Sequence, residues 1–513
     1  VSSKFSLILK GSGFRVLQTL VSIVIGMVMM PFLIGALGKE LYGLWIVIGS
    51  VVGTYYLLDL GFNQAVTRYV SKYIHQNNPQ AANKIINTAL IIYSLLGVVV
   101  LIASVIAAKF GAEKLMDNHE HLTLAQAILM ITGLAFALEF PAKAFPGIIS
   151  AYMRYDFIAL VQLIKSITDA LLIYCFISNG YGLVAMALIT FTTGLISTAI
   201  YIRFTTSLFK ELTFSRAAID MSTFKDVFHF SKWVFVTDMC ALLREKMDIW
   251  FIAFYISNGA LTIYYVAVRL VEYALQFLTQ ATGITGPIFT EYYAKGETEK
   301  LGRSVNLFIK LDIALGTIIL VGFYLLGISF IDIWMKGAVS AQAAFGCLMI
   351  LALGRFTVYF ASPLNSLLMT LNKHSLVSWI SILETCCSAI LCWWLIPSYG
   401  LIGAACAIAI PNVIGRLVVM PILVTRLIDL NMFSLVSRVV LFAFLSAIFA
   451  AATVKYLPSL KALTLWQLIL VAPTIALVQM LFSLSLCTLD ELRFVVQMLR
   501  KKLLKVTGRD IHA

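Results

Sequence analysis

The chain has 513 residues, 61% of them hydrophobic and only 12% charged, with a mean hydropathy of +0.94. A soluble chain carries roughly 25% charged residues, so a soluble enzyme, a secreted disulfide scaffold and a disordered chain are excluded; this is the composition of an integral membrane protein. Lys and Arg number 38 against 25 Asp and Glu, giving +13 and a pI near 9.3, an excess that in a membrane chain reports topology first and does not call for nucleic acid.

A helical span with its connector takes roughly 37 residues, and apolar runs fall at about 12–37, 42–67, 85–108, 122–150, 157–178, 181–208, 226–256, 259–289, 304–334, 341–371, 375–396, 400–428, 434–457 and 463–487. The first, Val16 to Leu37, is too long for a signal-peptide core and lacks a small-residue cleavage site, so it reads as a retained span. Fourteen spans predict an all-α polytopic membrane protein.

Basic residues set the orientation. The amino-terminal segment, the even-numbered connectors and the tail hold 24 of the 38, including Arg68, Lys72, Arg203, Lys210, Lys300, Arg426 and Arg500. The odd-numbered connectors hold six: Lys39, Lys109, Lys114, Lys336, Lys455 and Lys461. Both termini are therefore expected in the cytoplasm. The longest outer connector runs only from Lys109 to His121, too short for an extracytoplasmic catalytic domain.

At an offset of 222 residues Ile34 meets Ile256, Tyr42 meets Tyr264 and Gly61 meets Gly283; at 223, Tyr69 and Lys72 meet Tyr292 and Lys295. Six spans separate the copies, which predicts two six-helix lobes, 1–213 and 214–430, related by a pseudo-twofold along the membrane normal. Two additional helices in 431–490 and a basic cytoplasmic tail, 491–513, complete the layout.

Ionisable groups inside spans are costly and need partners or water. In the second span Tyr55, Asp59, Asn63 and Thr67 repeat at helical spacing; Arg15, Gln18 and Ser22 make a shorter stripe in the first. Glu139 with Lys143 and Lys165 with Asp169 are i, i+4 pairs that read as mutually neutralising. The seventh span carries Asp238, Arg244, Glu245, Lys246 and Asp248, with Arg244 and Asp248 again four apart. In the eighth, Arg269, Glu272, Gln276 and Gln280 share one helix face over about three turns, and a stripe of that length reads as the lining of an aqueous cavity. Arg355, Glu384 and Arg416 follow in the tenth to twelfth spans.

Other chemistry is thin. The eight cysteines lie in apolar runs with no CxxC pair and read as core thiols. The cluster Asp117, His119, Glu120 and His121 reads as a solvated loop; neither a metal site nor a catalytic residue is assigned. No P-loop, HExxH or GxSxG is present, which argues against ATP-driven transport and hydrolase chemistry by this chain.

At two places the sequence resembles a known family. Leu37 to Tyr73, LGKELYGLWIVIGSVVGTYYLLDLGFNQAVTRYVSKY, resembles the early region of Wzx-type polysaccharide flippases in its YGLW opening and LLDLGF centre. The segment from Asp248 through Tyr264, Ala267 and Arg269 to Leu270 is similar to that family's D...YxxAxRL region. These flippases belong to the multidrug/oligosaccharidyl-lipid/polysaccharide exporter superfamily.

The resemblance implies a central cavity alternately open to each side. It also implies movement of an undecaprenyl-pyrophosphate-type lipid-linked oligosaccharide from the cytoplasmic to the periplasmic leaflet of a bacterial inner membrane, for O-antigen or exopolysaccharide synthesis. Polysaccharide polymerase and chain-length proteins are then expected partners beside membrane lipids. The density of acidic groups in LLREKMDIW, Leu242 to Trp250, departs from a simple cationic cavity. Guanidinium groups suit a pyrophosphate and amides suit sugars, so the expected cargo residues are Arg269 first, then Arg15 and Arg244, with Gln276, Gln280 and Asn63. Asp59, Asp248 and Glu272 are the candidate coupling sites for a proton or sodium gradient; no cofactor is expected. A multidrug exporter of the same superfamily and a membrane-embedded glycan polymerase or ligase are the alternatives.

Overall fold

The computed structural model describes residues 2–59, 62–115, 121–213, 239–282, 285–426 and 464–484. Asp117, His119, Glu120, Lys232, Asp238, the glycines Gly61 and Gly283, the thirteenth span and the basic tail lie outside the described residues.

Helix is the outcome the composition demands, because a backbone in hydrocarbon must satisfy its own N–H and C=O groups and a helix does so within one segment. The described residues contain no strand. Among them nine helices are long and apolar enough to cross a membrane. In chain order the helices are α1 (Ser2–Thr54), α2 (Phe62–His75), α3 (Pro79–Ile106), α4 (Leu122–Glu139), α5 (Ala144–Ala151), α6 (Tyr155–Ser178), α7 (Leu183–Leu208) and α8 (239–255). They continue with α9 (Asn258–Thr282), α10 (Thr285–Ala294), α11 (Thr298–Met335), α12 (Ala341–Phe360), α13 (Ser362–Thr370), α14 (His374–Ile414), α15 (Met420–Thr425) and α16 (Leu465–Leu484).

Two of these helices hold a pair of expected spans each. α1 breaks at Gly38 (φ 82°) and α14 at Gly400 (φ 59°). Both values are left-handed, where a side chain is strained and glycine is not, so each glycine turns one span into the next without a loop. Elsewhere the boundaries follow local chemistry. Asn78 caps α3, its Oδ1 accepting from the N–H of Ala81 at 3.0 Å, and Pro79 opens the helix. Short 3₁₀ turns cover Tyr55–Asp59 and Pro141–Lys143, and both end on an ionisable residue.

By packing, the chain forms two compact units, Val1–Val266 with Ser381–Ile408, and Ala267–Ile380 with Ala409–Ala513. In the first unit, α1 packs on α6 and α3 on α4. In the second, Phe289, Val305, Phe308, Leu367, Leu368 and Met420 form a core joining α10, α11, α13 and α15.

Candidate functional site

The first unit holds Arg15, Asp59, Asn63, Arg244 and Asp248 from the expected set. Arg15, exposed near the start of α1, lies 4.8 Å from the ring centroid of Tyr155. The second-span stripe finds protein partners throughout. Tyr55 accepts from the Ser104 hydroxyl at 3.0 Å, and Tyr93 donates to the buried Asp59. Asn63 approaches the Lys143 carbonyl at 3.5 Å, and Thr67 donates to the Gly147 carbonyl at 3.1 Å. These residues dock the chain after Gly38 onto α3 and α5.

The seventh span, α8, is tied down by long-range contacts. Asp248 is fully buried; it accepts the Tyr264 hydroxyl at 2.8 Å and the Ile249 N–H at 2.8 Å. The D...Y part of the resemblance is therefore a physical bond between α8 and α9. Arg244 forms an ion pair with Glu384 on α14, and Thr385 donates to the Cys240 carbonyl at 3.1 Å. The acidic density of this span is thus used, at Asp248, in holding helices together.

The YGLW opening has an equally direct reason. A β-carbon built on Gly43 would lie 2.0 Å from the carbonyl oxygen of Asn258, so only glycine permits this approach. Thr262 donates to the Lys39 carbonyl at 2.6 Å and the Trp250 indole to the Ser50 hydroxyl at 2.8 Å. The turn after the first span therefore packs on the turn between the seventh and eighth. Gly43→Ala is expected to cost about 1–3 kcal/mol through overpacking, read as a lower unfolding temperature of the purified protein; unchanged stability would show that the contact gives way freely.

One expected pair does not form. Among the described residues Glu139 and Lys143 make no ion pair, because the 3₁₀ turn at Pro141–Lys143 replaces the helical register that would stack them. The Lys143 ammonium instead sits 4.0 Å from the ring centroid of Phe140 and 4.8 Å from that of Tyr56. Lys165 and Asp169, on unbroken α6, do pair at 2.6 Å.

The second unit holds Arg269, Glu272, Gln276 and Gln280. Arg269 pairs with Glu272 at 2.9 Å, and Arg355 of α12 reaches the other Glu272 oxygen at 3.6 Å. One carboxylate thus lies between two guanidiniums. The Arg269 side chain is 36% exposed, and about two and three turns further on Gln276 and Gln280 are exposed. Arg355 was visible in sequence only as a charge in a span; nothing in the spacing joins it to Glu272. Arg416, also buried, donates to Asn365 at 3.1 Å.

No group of three or more His, Cys, Asp or Glu is arranged to hold a metal among the described residues, and the seven described cysteines are free thiols. A cleft of about 360 Å³ lies at the ends of α2 and α7, bordered by Asn78, Tyr152, Lys210 and Glu211, and includes none of the expected cargo residues.

The apolar helical spans define a polytopic membrane protein. The family described as Polysaccharide biosynthesis protein matches residues 8–293. The chain belongs to that family. It is 22% identical to the uncharacterized membrane protein EpsK of Bacillus subtilis (strain 168), over 94% of this chain and 96% of EpsK. It is 23% identical to a putative O-antigen transporter of Shigella flexneri, over 80% of this chain and 96% of the relative. Among solved structures, the lipid II flippase MurJ in an inward closed conformation superposes with a TM-score of 0.71 at 17% identity, covering 92% of this chain and 98% of MurJ. An inward-facing multidrug resistance MATE family transporter superposes at 0.67 and 14% identity, covering 80% of this chain and 94% of that one. These likenesses establish the fold.

Proposed function

We propose that the chain is an alternating-access flippase for an isoprenoid-pyrophosphate-linked oligosaccharide. It moves this cargo from the cytoplasmic to the periplasmic leaflet of a bacterial inner membrane, with both termini in the cytoplasm, to supply surface polysaccharide synthesis. The observation that carries the reading is the pair of guanidiniums, Arg269 and Arg355, gathered on Glu272, beside exposed amides at Gln276 and Gln280. A pyrophosphate brings localised negative charge out of water, and a planar guanidinium meets it with two parallel hydrogen bonds. Glu272 holds the arginines in place before cargo arrives, and the amides offer donors and acceptors to the first sugars. The isoprenoid tail stays in lipid. The names of the Shigella relative and of MurJ support a cargo of this class.

Arg15 and Asn63 serve as secondary contacts on the path. Arg244 belongs to this set as well, although its pair with Glu384 gives it a structural duty. Asp59, Asp248 and Glu272 are the coupling carboxylates if a proton or sodium gradient drives the cycle. Polymerase and chain-length proteins would take over the delivered cargo.

The test is reconstitution. Purified full-length protein in proteoliposomes is expected to translocate a short fluorescent oligosaccharide on a polyprenyl pyrophosphate, scored by protection from an added glycosidase. No translocation above protein-free vesicles would sink the proposal. Drug sensitivity of a deletion strain with intact surface glycan would favour the multidrug reading instead.

A further inference from the structure

Inside the first unit five ionisable side chains follow one another with alternating sign. Asp59 ends the 3₁₀ turn after α1, Lys143 ends the turn after α4, Glu139 closes α4, and Lys165 and Asp169 lie on α6. Lys143 interacts electrostatically with both Asp59 and Glu139, and Glu139 also with Lys165 and Asp169. Three carboxyl groups thus share two ammonium groups within membrane-spanning helices.

Their hydrogen bonding separates the three. Asp59 receives the Tyr93 hydroxyl. Asp169 receives the Lys165 ammonium at 2.6 Å and the Thr193 hydroxyl at 2.5 Å. Both anions are therefore solvated by the protein and balance the two lysines. Glu139 has neither a hydrogen bond nor an ion pair among the described residues, and its carboxyl is pressed on the backbone of α7: a β-carbon on Gly194 would lie 1.8 Å from its Oε1. A half-buried carboxylate on a membrane-spanning helix with no donor, in a group holding one acid more than it has bases, is the member of the three that takes up a proton.

The geometry points to Glu139 as a proton-binding site: its carboxyl carries the odd proton of the ladder here, and loss of that proton draws the Lys143 ammonium from its ring cage to Glu139. Lys143 is the group able to answer, because its Nζ is enclosed without a hydrogen-bond partner and is held by the rings of Phe140, Tyr56 and Phe136. The step is a simple ionisation, Glu139 carboxylic acid to carboxylate with the proton passing to water, followed by a swing of the flexible Lys143 side chain toward the carboxylate. Other groups around α4 are accounted for. α3 brings Tyr93, already donating to Asp59; α7 presents Thr193 and Gly194; Arg15, Lys39 and Glu40 of α1 lie toward the ends of its two spans. Lys109 and Glu113 precede the other end of α4. The inference does not depend on what the cargo is.

Infrared difference spectra of the full-length protein in lipid nanodiscs, taken between about pH 5 and about pH 9, test it. The carbonyl stretch of one protonated carboxyl is expected to disappear as the pH rises. Glu139→Gln, nearly isosteric with the protonated acid, is expected to lack that band, whereas Asp59→Asn and Asp169→Asn keep it. Lys143→Met removes the charge that stabilises the carboxylate and is expected to move the midpoint to higher pH. Survival of the band in Glu139→Gln, absence of a pH-sensitive carboxyl band in the unmodified chain, or an unmoved midpoint in Lys143→Met overturns the assignment. If Glu139→Gln does not fold, the Lys143→Met midpoint decides alone. Glycosidase protection in the cargo assay reads a different quantity, so failure of either reading is seen separately.

Discussion

Arg269→Ala is expected to abolish surface glycan in a strain that depends on this chain, with the protein still present in the membrane at its normal level. Removing the guanidinium takes away a charge-assisted contact of about 1.5–3 kcal/mol, roughly 10- to 150-fold in affinity for a pyrophosphate. It also takes away one of the two guanidiniums on Glu272, leaving Arg355 at 3.6 Å. Arg269→Lys keeps the charge but not the planar fork and is expected to retain partial export. Arg355→Ala makes the same change in net charge from the other side of Glu272 and should reproduce much of the Arg269→Ala loss. Normal glycan in Arg269→Ala at normal protein level would remove this group from the cargo site.

The largest effect on stability is expected at Arg244→Ala. Its partner Glu384 is 3% exposed, and deleting one member of a buried pair strands the other charge, at about 3–5 kcal/mol. The double change Arg244→Met with Glu384→Leu removes both charges and fills the space, so it is expected to recover most of that loss. Thermal unfolding of the three proteins in detergent is the measurement. If Arg244→Ala melted with the unmodified protein, the pair would have no structural weight, and Arg244 would be free to act on cargo only.

These two sites differ in how much of them could be seen in the sequence. Arg269 with Glu272 and Lys165 with Asp169 are neighbours on one helix, and helical spacing alone put each pair within reach. Glu139 with Lys143 has the same spacing and fails, because Pro141 lacks the N–H that would continue the helical ladder and a 3₁₀ turn follows. The partners Arg355 for Glu272, Glu384 for Arg244, Tyr93 for Asp59 and Tyr264 for Asp248 come from other helices, and no local period relates them. Gly43 was legible as part of a motif, but the carbonyl it makes room for was not.

The same division runs through the whole chain. By itself the sequence determined that this is a multi-pass helical membrane protein, because burying a backbone in lipid leaves helix as the answer for long apolar runs. It also determined which ionisable groups the membrane has to accommodate and, through YGLW and the Asp248 to Leu270 segment, the family. Tertiary structure alone decided which charges neutralise one another, since that depends on which helix faces lie side by side. It decided that the second-span stripe is packed on α3 and α5, that one carboxylate is shared by Arg269 and Arg355, and that Glu139 rests on Gly194 without a donor. Hydropathy is a sum over a segment and survives without the fold, whereas a buried ion pair is a distance between two atoms and has no value until the helices are packed.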